Sequence, residues 1–208
     1  MAGSSHHALH RHMRAPINPN VVTAMRLPLA PLTVVFMVQG ETWAVATAAV
    51  LALILEATDL LDGYVARQYG AVTSFGKLFD PFSDAFCRFT LFLGMYAIGV
   101  AELWMIMVIF YQDSSISFIR SVAAIRSVVV AARPSGKLKA VVQGVGTQII
   151  FISLLAAAMF PNHTWLESVP WWTMLIVTLV TAASFVDYLL GNMTLLTEAW
   201  SESGREET

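Results

Sequence analysis

The stretch Asp59–Asp84, DLLDGYVARQYGAVTSFGKLFDPFSD, decides how the rest of the chain is interpreted. It places four aspartates in the most apolar part of the chain: Asp59, Asp62, Asp80 and Asp84. A carboxylate near the middle of a bilayer costs about 3 kcal/mol even on lenient insertion scales, so four of them need a shared partner. The simplest shared partner is a divalent metal.

Helical spacing places these acids on two stripes that can face each other. With about 3.6 residues per turn, each pair of aspartates falls on one face of its helix, together with small residues. The small residues are Gly63, Ala66 and Gly76. Carboxylate oxygens suit Mg²⁺ or Mn²⁺, and four of these acids can hold two ions, which we expect as cofactors. Arg67 and Lys77 are then placed to neutralise the phosphate oxygens of a substrate.

The composition is that of a membrane protein. Of the 208 residues, 57% are hydrophobic and 12% are charged, which leaves too much apolar surface for a soluble domain of this size. A hydrocarbon core of about 30 Å needs about 20 apolar residues per helix. The chain is therefore predicted to be an all-α, polytopic membrane protein with six transmembrane helices near residues 21–39, 43–66, 76–99, 102–126, 137–160 and 170–196.

The basic residues indicate the orientation. None of the 12 lysines and arginines falls in the predicted loops near residues 40–42, 100–102 and 161–169. The positive-inside rule therefore predicts that both termini are cytoplasmic and that the active site lies at the cytoplasmic ends of the helices. We expect a multi-pass protein of a bacterial inner membrane.

One domain flanked by two polar tails is expected. The six-helix domain covers residues 17–197. Residues 1–16 form a polar, histidine-containing tail that resembles in part an expression tag. Residues 198–208 form an acidic tail that we expect to be disordered.

Three ionisable residues in the apolar segments have no single interpretation. Arg26 lies one turn inside the first predicted helix, where it either snorkels to the interface or contacts an anionic substrate. Asp113, which precedes Arg120 by two helical turns, is as consistent with an ion-paired structural role as with a functional one. The sequence assigns no role to Asp187.

Two other interpretations of the acid cluster are weighed. The acids could pair with Arg67, Lys77 or Arg88, but with Glu56 counted they outnumber these bases. A divalent-cation transporter would also place acids in a membrane. Because these acids cluster at one end of two helices and no matching acidic rings lie at the other end to complete a path, a transporter is the weaker alternative.

The stretch resembles the signature of the CDP-alcohol phosphotransferases, D-x2-D-G-x2-A-R-x8-G-x3-D-x3-D, at every fixed position. The resemblance implies that the four aspartates ligate two divalent ions and that Asp84 is also the catalytic general base on an acceptor hydroxyl group. That hydroxyl group would attack the β-phosphorus of CDP-diacylglycerol, and CMP would leave. A homodimer is implied as well, and no nucleic acid is expected as a partner. The residues expected to bind the CDP-lipid are Gly63, Ala66, Arg67, Gly76 and Lys77.

Segments outside the signature resemble bacterial phosphatidylglycerophosphate synthases, which use glycerol 3-phosphate as acceptor. The similar segments are Asn18-Pro19-Asn20-x-x-Thr23-x-x-Arg26, Thr73-x-Phe75-Gly76-Lys77 with Asp80-Pro81, Arg120, and Gly136-Lys137-x-Lys139 with Gln143. The expected reaction forms phosphatidylglycerophosphate. This places the chain in the enzyme class of metal-dependent CDP-diacylglycerol–glycerol-3-phosphate 3-phosphatidyltransferases, which serves phospholipid biosynthesis.

Basic side chains suit an acceptor that carries a phosphate. Arg120, Lys137 and Lys139 are predicted to bind that phosphate. Arg126 and Arg133 are explained more simply by membrane topology. Ala85 and Ala140 stand where these synthases commonly have lysine and threonine, so inositol phosphate, phosphatidylglycerol or another polar alcohol stays open as the acceptor.

Overall fold

In a computed structural model that describes residues 19–69, 74–125 and 133–206, the chain forms helices joined by short turns. No β-strand is present in these ranges. A short 3₁₀ turn, Thr164–Glu167, precedes the sixth helix. The α-helices are α1 (Pro19–Met37), α2 (Thr42–Tyr69), α3 (Ser74–Ala97), α4 (Leu103–Ile125), α5 (Pro134–Met159), α6 (Val169–Gly191) and α7 (Met193–Glu206).

Six helices form a closed ring of neighbours. Following the contacts, α2 packs on α5, α5 on α6, α6 on α4, and α4 on α3. The first helix, α1, packs on both α2 and α3 and so joins the two ends of this series. The helices that carry the aspartates are therefore held on α1.

The helices pack around large buried side chains, and a glycine lets two of them approach closely. The core includes Phe92, Met95 and Phe151, which are fully buried. At Gly94 of α3, a Cβ atom would lie 2.4 Å from the Cε of Met37, closer than real contacts allow. Glycine at this position therefore lets α1 approach α3.

The outer surface is apolar. Three helical segments of the described chain are long and apolar enough to cross a membrane: Thr42–Asp59, Pro134–Met159 and Thr164–Gly191. Val21–Met37 is a shorter apolar helix. Large apolar side chains project from the bundle, and that of Leu190, for example, is 70% exposed. In a bilayer these side chains contact lipid rather than water. The protein is thus a helical membrane protein.

The C-terminal region differs from the sequence prediction. The predicted sixth span, residues 170–196, crosses the end of α6, where Asn192 Nδ2 donates a hydrogen bond to the Tyr188 carbonyl at 2.7 Å. A new helix, α7, then runs to Glu206. The expectation of a disordered tail is therefore wrong for residues 198–206. Leu195 and Leu196 pack against a second apolar cluster and explain why this helix forms.

Candidate active site

The acidic half of the candidate site lies where α1, α2 and α3 meet. Arg26 of α1 is 5% exposed. Its Nη1 lies 2.7 Å from Asp59 Oδ1, and its Nη2 lies 3.5 Å from Asp84 Oδ1. Arg88 of α3 contacts the same two carboxylates, since its Nε donates to Asp84 Oδ1 at 2.9 Å and its Nη2 lies 3.9 Å from Asp59 Oδ2. The fold therefore brings Asp59 and Asp84 together around two shared guanidinium groups.

The third aspartate contacts the same face of α1. Asp80 is exposed, and its Oδ1 accepts a hydrogen bond from Thr23 Oγ1 at 3.1 Å. Thr23 and Arg26 are three residues apart, so both lie on the side of α1 that faces α3. Two further contacts fix this interface: Ser83 Oγ donates to the Thr23 carbonyl at 3.2 Å, and Cys87 Sγ to the Arg26 carbonyl at 3.4 Å.

Several predicted site residues lie outside the part of the structure in which side chains are described. Gly76 is buried on α3, as a residue facing a neighbouring helix would be. The assignments that lie outside the described side chains, and that stay predictions, are those of Asp62, Gly63, Ala66, Arg67 and Lys77.

The described acids are of the ligand type that a divalent metal prefers. Carboxylate oxygens are the hard ligands that Mg²⁺ and Mn²⁺ prefer. Asp59 and Asp84 face each other, and Asp80 lies exposed beside them. Among the described side chains, which do not include Asp62, no three acidic, histidine or cysteine residues are grouped closely enough to hold an ion. Arg26 and Arg88 supply, between the carboxylates, the positive charge that a metal ion would also supply.

A fifth acid, Glu56, lies one turn before Asp59 on α2. It is half-buried, and it shares a narrow crevice of about 20 Å³ with Asp84 and Arg88. Gly144 of α5 leaves the space for it, because a Cβ atom there would lie 2.3 Å from Glu56 Oε1. The close approach of α2 and α5 thus depends on a residue without a side chain beside this carboxylate.

A larger cavity, of about 310 Å³, opens beside Asp84. It is bounded by α3, α4, α5 and α6, and it contains all three residues predicted to bind an acceptor phosphate: Arg120, Lys137 and Lys139. Ala85 and Ala140 also line it. One cavity therefore connects the predicted catalytic base to the predicted phosphate-binding residues.

The cations of this cavity fall into two groups. Lys139 Nζ donates to Asp113 Oδ1 and, at 2.7 Å, to Gln112 Oε1. Arg88 is paired with the aspartates described above. In contrast, within the described ranges no acidic side chain forms an ion pair with Arg120 or Lys137, both of which are exposed. These two cations are the ones left to bind an anion.

Arg133, at the start of α5, is paired with Asp187 of α6. Its Nε and Nη2 lie 2.8 Å and 2.7 Å from the two carboxylate oxygens, and Ser135 Oγ donates to the same carboxylate. The hydrogen bonds to Asp187 raise the pKa of the Arg133 guanidinium above its ordinary value. Asp187, unassigned from the sequence, thus binds a residue that lines the cavity.

The sequence interpretation missed the role of Arg26. This residue neither snorkels to the interface nor is left free for a substrate, because its guanidinium is buried against Asp59 and Asp84. A signal was present, since Thr23 and Arg26 share a helix face in a segment that resembles related synthases. The alternative in which the acids pair with bases is correct in part, because Arg88 is one of their partners.

Comparison with known proteins identifies the family of this chain. The sequence model of the CDP-alcohol phosphatidyltransferase family matches residues 16–182. The chain is 31% identical over 155 residues to the CDP-diacylglycerol–glycerol-3-phosphate 3-phosphatidyltransferase of Bacillus subtilis (strain 168), an alignment that covers 69% of this chain and 78% of that protein. It is 33% identical over 143 residues to the protein of the same name from Treponema pallidum (strain Nichols), covering 67% of this chain and 66% of that protein.

A third relative is a probable phosphatidylglycerophosphate synthase of Mycobacterium tuberculosis (strain ATCC 25618 / H37Rv), 28% identical over 144 residues that cover 65% of this chain and 66% of that protein. The family match includes α1, the acid motif and the start of α5, which are the parts that build the site. The chain therefore belongs to the CDP-alcohol phosphatidyltransferase family.

Proposed function

We propose that this protein transfers the phosphatidyl group of CDP-diacylglycerol to the hydroxyl group of glycerol 3-phosphate. The hydroxyl oxygen forms a bond to the β-phosphorus of the CDP-lipid, and the bond from that phosphorus to the CMP oxygen breaks. The proton of the hydroxyl group passes to Asp84. The products are phosphatidylglycerophosphate and CMP.

The observation that carries this proposal is the shared cavity. Asp84 lines it at one end, and Arg120 and Lys137 line it without an acidic partner in the described chain. An acceptor with a hydroxyl group and a phosphate group can use both kinds of residue. Its hydroxyl group reacts beside Asp84, while its phosphate group binds the basic side chains and holds the molecule in place. The amide nitrogen of Gln112, buried beside the cavity, also has no hydrogen-bond partner in the described residues.

The carboxylate of Asp84 is suited to accept a proton in this position. An alcohol is a weak nucleophile, and a base within hydrogen-bond reach accelerates its attack. The arginine contacts described for Asp84 all use Oδ1, so they do not occupy Oδ2. Arg88 also donates to the Ala140 carbonyl at 3.2 Å and to Gln143 Oε1 at 3.3 Å, which fixes the carboxylate relative to α5.

We further propose that Asp59, Asp62, Asp80 and Asp84 hold two Mg²⁺ or Mn²⁺ ions. Bound there, the ions would stabilise the negative charge that develops on the phosphoryl oxygens. The opposed carboxylates of Asp59 and Asp84 support this assignment. Gly63, Ala66, Arg67, Gly76 and Lys77 are proposed to bind the CDP-lipid.

A second candidate acceptor is favoured by the walls of the cavity. Ala85 and Ala140, which replace larger residues common in phosphatidylglycerophosphate synthases, both line it. Their short side chains leave more space around the acceptor. Inositol phosphate, phosphatidylglycerol or another polar alcohol is therefore the alternative to glycerol 3-phosphate.

The arrangement in the membrane is also a proposal. We propose six transmembrane helices, one domain over residues 17–197, cytoplasmic termini, and a site at the cytoplasmic ends of the helices of a bacterial inner membrane. Support comes from the distribution of charge, because five basic residues line the cavity while Glu41 and Glu102 lie in turns between helices. Trp104 and Trp171 both donate to Glu102, at 3.1 Å and 3.2 Å, as interfacial tryptophans do. A homodimer, implied by the family resemblance, is testable by cross-linking in membranes.

An acceptor panel tests the reaction. The purified protein is supplied with radiolabelled CDP-diacylglycerol and Mg²⁺, and CMP release is measured with glycerol 3-phosphate, inositol 3-phosphate, serine and phosphatidylglycerol. The expected result is release with glycerol 3-phosphate and loss of release with EDTA. Reaction with an unphosphorylated alcohol alone would contradict the preferred acceptor, and no release with any acceptor would contradict the reaction.

A further inference from the structure

The first turn of α5, which carries Lys137, lacks an ordinary helix cap. Arg133 is its N-cap residue, and it makes no side-chain capping hydrogen bond. As at the start of any α-helix, the backbone carbonyl of this N-cap residue accepts hydrogen bonds from the amides of the first turn, here those of Gly136 and Lys137 at 3.2 Å and 3.3 Å. The position of Lys137 is therefore linked directly to the position of Arg133.

The side chain of Arg133 is held by α6. Both oxygens of Asp187 accept from its guanidinium, in the two-pronged geometry that fixes direction as well as distance. Ser135 donates to the same carboxylate, so one acid contacts two residues of the turn that leads to Lys137. Asp187 lies beyond residue 182, where the match to the family ends.

A glycine on α6 provides the space for this contact. Gly191 lies four residues after Asp187, on the same helix face. A Cβ atom at Gly191 would lie 1.7 Å from Nη1 and 2.5 Å from Cζ of Arg133. A larger residue there would require the guanidinium to move from the position in which it contacts Asp187.

We propose that Asp187, Arg133 and Gly191 form a positioning device for acceptor binding, which we call the α5 latch. The latch fixes the first turn of α5 so that Lys137 faces the acceptor cavity. Asp187 and Arg133 act through Lys137, since the charge of Arg133 is already balanced by Asp187. The inference rests on the proposed function, because it takes Lys137 as a ligand of the acceptor phosphate.

A purely stabilising role explains the arrangement less well. The side chains of Arg133 and Asp187 are 35% and 39% exposed, and ion pairs at this exposure contribute little to folding stability. The contacts of the latch nevertheless lie next to the cavity, which Arg133 and Lys137 both line. A small shift of a binding group is enough to weaken acceptor binding, whereas global stability barely depends on it.

Two variants that break the latch in different ways test the proposal. Asp187→Asn removes the charge that holds Arg133, and Gly191→Ala displaces the guanidinium while leaving both charged residues in place. For each variant the KM for glycerol 3-phosphate is expected to rise about tenfold, with the KM for CDP-diacylglycerol unchanged within about twofold. The double variant is expected to match the single variants, because both break the same contact. Glu167→Gln, an exposed acid far along the chain from the latch, is the control and is expected to leave both constants unchanged.

Hydrogen exchange supplies a readout that does not depend on turnover. In detergent, backbone amides of residues 135–140 are expected to exchange faster in Asp187→Asn and Gly191→Ala than in the parent protein, while α4 amides are unchanged. Unchanged acceptor KM and unchanged exchange in both variants would overturn the latch. A parent protein that releases no CMP with glycerol 3-phosphate would overturn the proposed function, and with it the acceptor role of the latch, whatever the exchange data show.

Discussion

The two ends of the candidate site balance their charges in different ways. At the end near α1, the carboxylates of Asp59 and Asp84 are compensated by Arg26 and Arg88. At the end near α4 and α5, Arg120 and Lys137 have no acidic partner among the described residues. At the first end Asp59 and Asp84 have cationic partners within the chain, whereas the cations at the second end are left open to an anion.

This difference separates what the fold needs from what a ligand needs. Charges taken out of water must be paired, because an unpaired buried charge is strongly destabilising. Exposed cations need no acidic partner, so they remain available to bind a phosphate group. The open end is therefore where changes should affect binding, and the compensated end is where they should affect stability and chemistry.

The largest effect is expected at the boundary of the two ends. Asp84→Asn keeps the size of the side chain but cannot accept the proton of the acceptor, so turnover is expected to fall by about 10³-fold or more. CMP release measures the loss, and elution from size-exclusion chromatography in detergent checks folding. Near-normal activity in a folded variant would contradict the role of this carboxylate as the base.

The compensated end predicts a large loss of stability. Arg26→Met leaves Asp59 and Asp84 short of a buried cation and is expected to cost about 3 kcal/mol. Thermal unfolding in detergent with EDTA measures the loss, and added Mg²⁺ is expected to restore part of it if metal ions bind the same carboxylates. Arg120→Met is the matched control and is expected to leave the stability nearly unchanged. An equal loss of stability in that variant would contradict the proposed difference between the two ends.

The open end predicts a loss of acceptor binding instead. Lys137→Ala removes a charge-assisted contact to the acceptor phosphate, worth about 2 kcal/mol, so the KM for glycerol 3-phosphate should rise about thirtyfold. The KM for CDP-diacylglycerol and the unfolding temperature should stay near those of the parent protein. An equal rise in both KM values would show that Lys137 does not discriminate the acceptor.

The smallest effect is expected for the cation that already has a partner. The double variant Lys139→Met with Asp113→Leu removes a whole ion pair and leaves the net charge of the cavity unchanged. The KM for glycerol 3-phosphate is expected to change by less than about threefold, since such pairs contribute little net free energy. A change as large as that of Lys137→Ala would mean that Lys139 contacts the phosphate directly despite its pairing with Asp113.

Much of the fold could be predicted from the sequence, because it follows from local patterns. Apolar segments of about 20 residues predicted helices close to α1 through α5, and the 59–84 motif predicted that Asp59 and Asp84 approach each other. The sequence did not predict the end of α6, because Gly191 and Asn192 are only two helix-ending residues within a longer apolar segment. The helical form of α7 was missed because its few leucines pack on a distant cluster.

The electrostatic partners could not be predicted, because they depend on which helices become neighbours. Arg26 is 33 residues from Asp59 and 58 from Asp84, separations at which spacing carries no information about contact. The same holds for Arg133 and Asp187, which are 54 residues apart. Helical periodicity fixes which face a residue occupies, but the order of helices around the ring decides what that face meets.

The contact of Arg26 with two later helices has a consequence for biogenesis. Because α1 precedes α2 and α3 in the sequence, it is synthesised first. The side chain of Arg26 is therefore already present when Asp59 and Asp84 leave the ribosome. In the reverse order, the hairpin would enter the bilayer with two of its acids lacking that countercharge. The N-terminal helix, which contributes no residue to the 59–84 motif, thus makes the motif compatible with insertion into lipid.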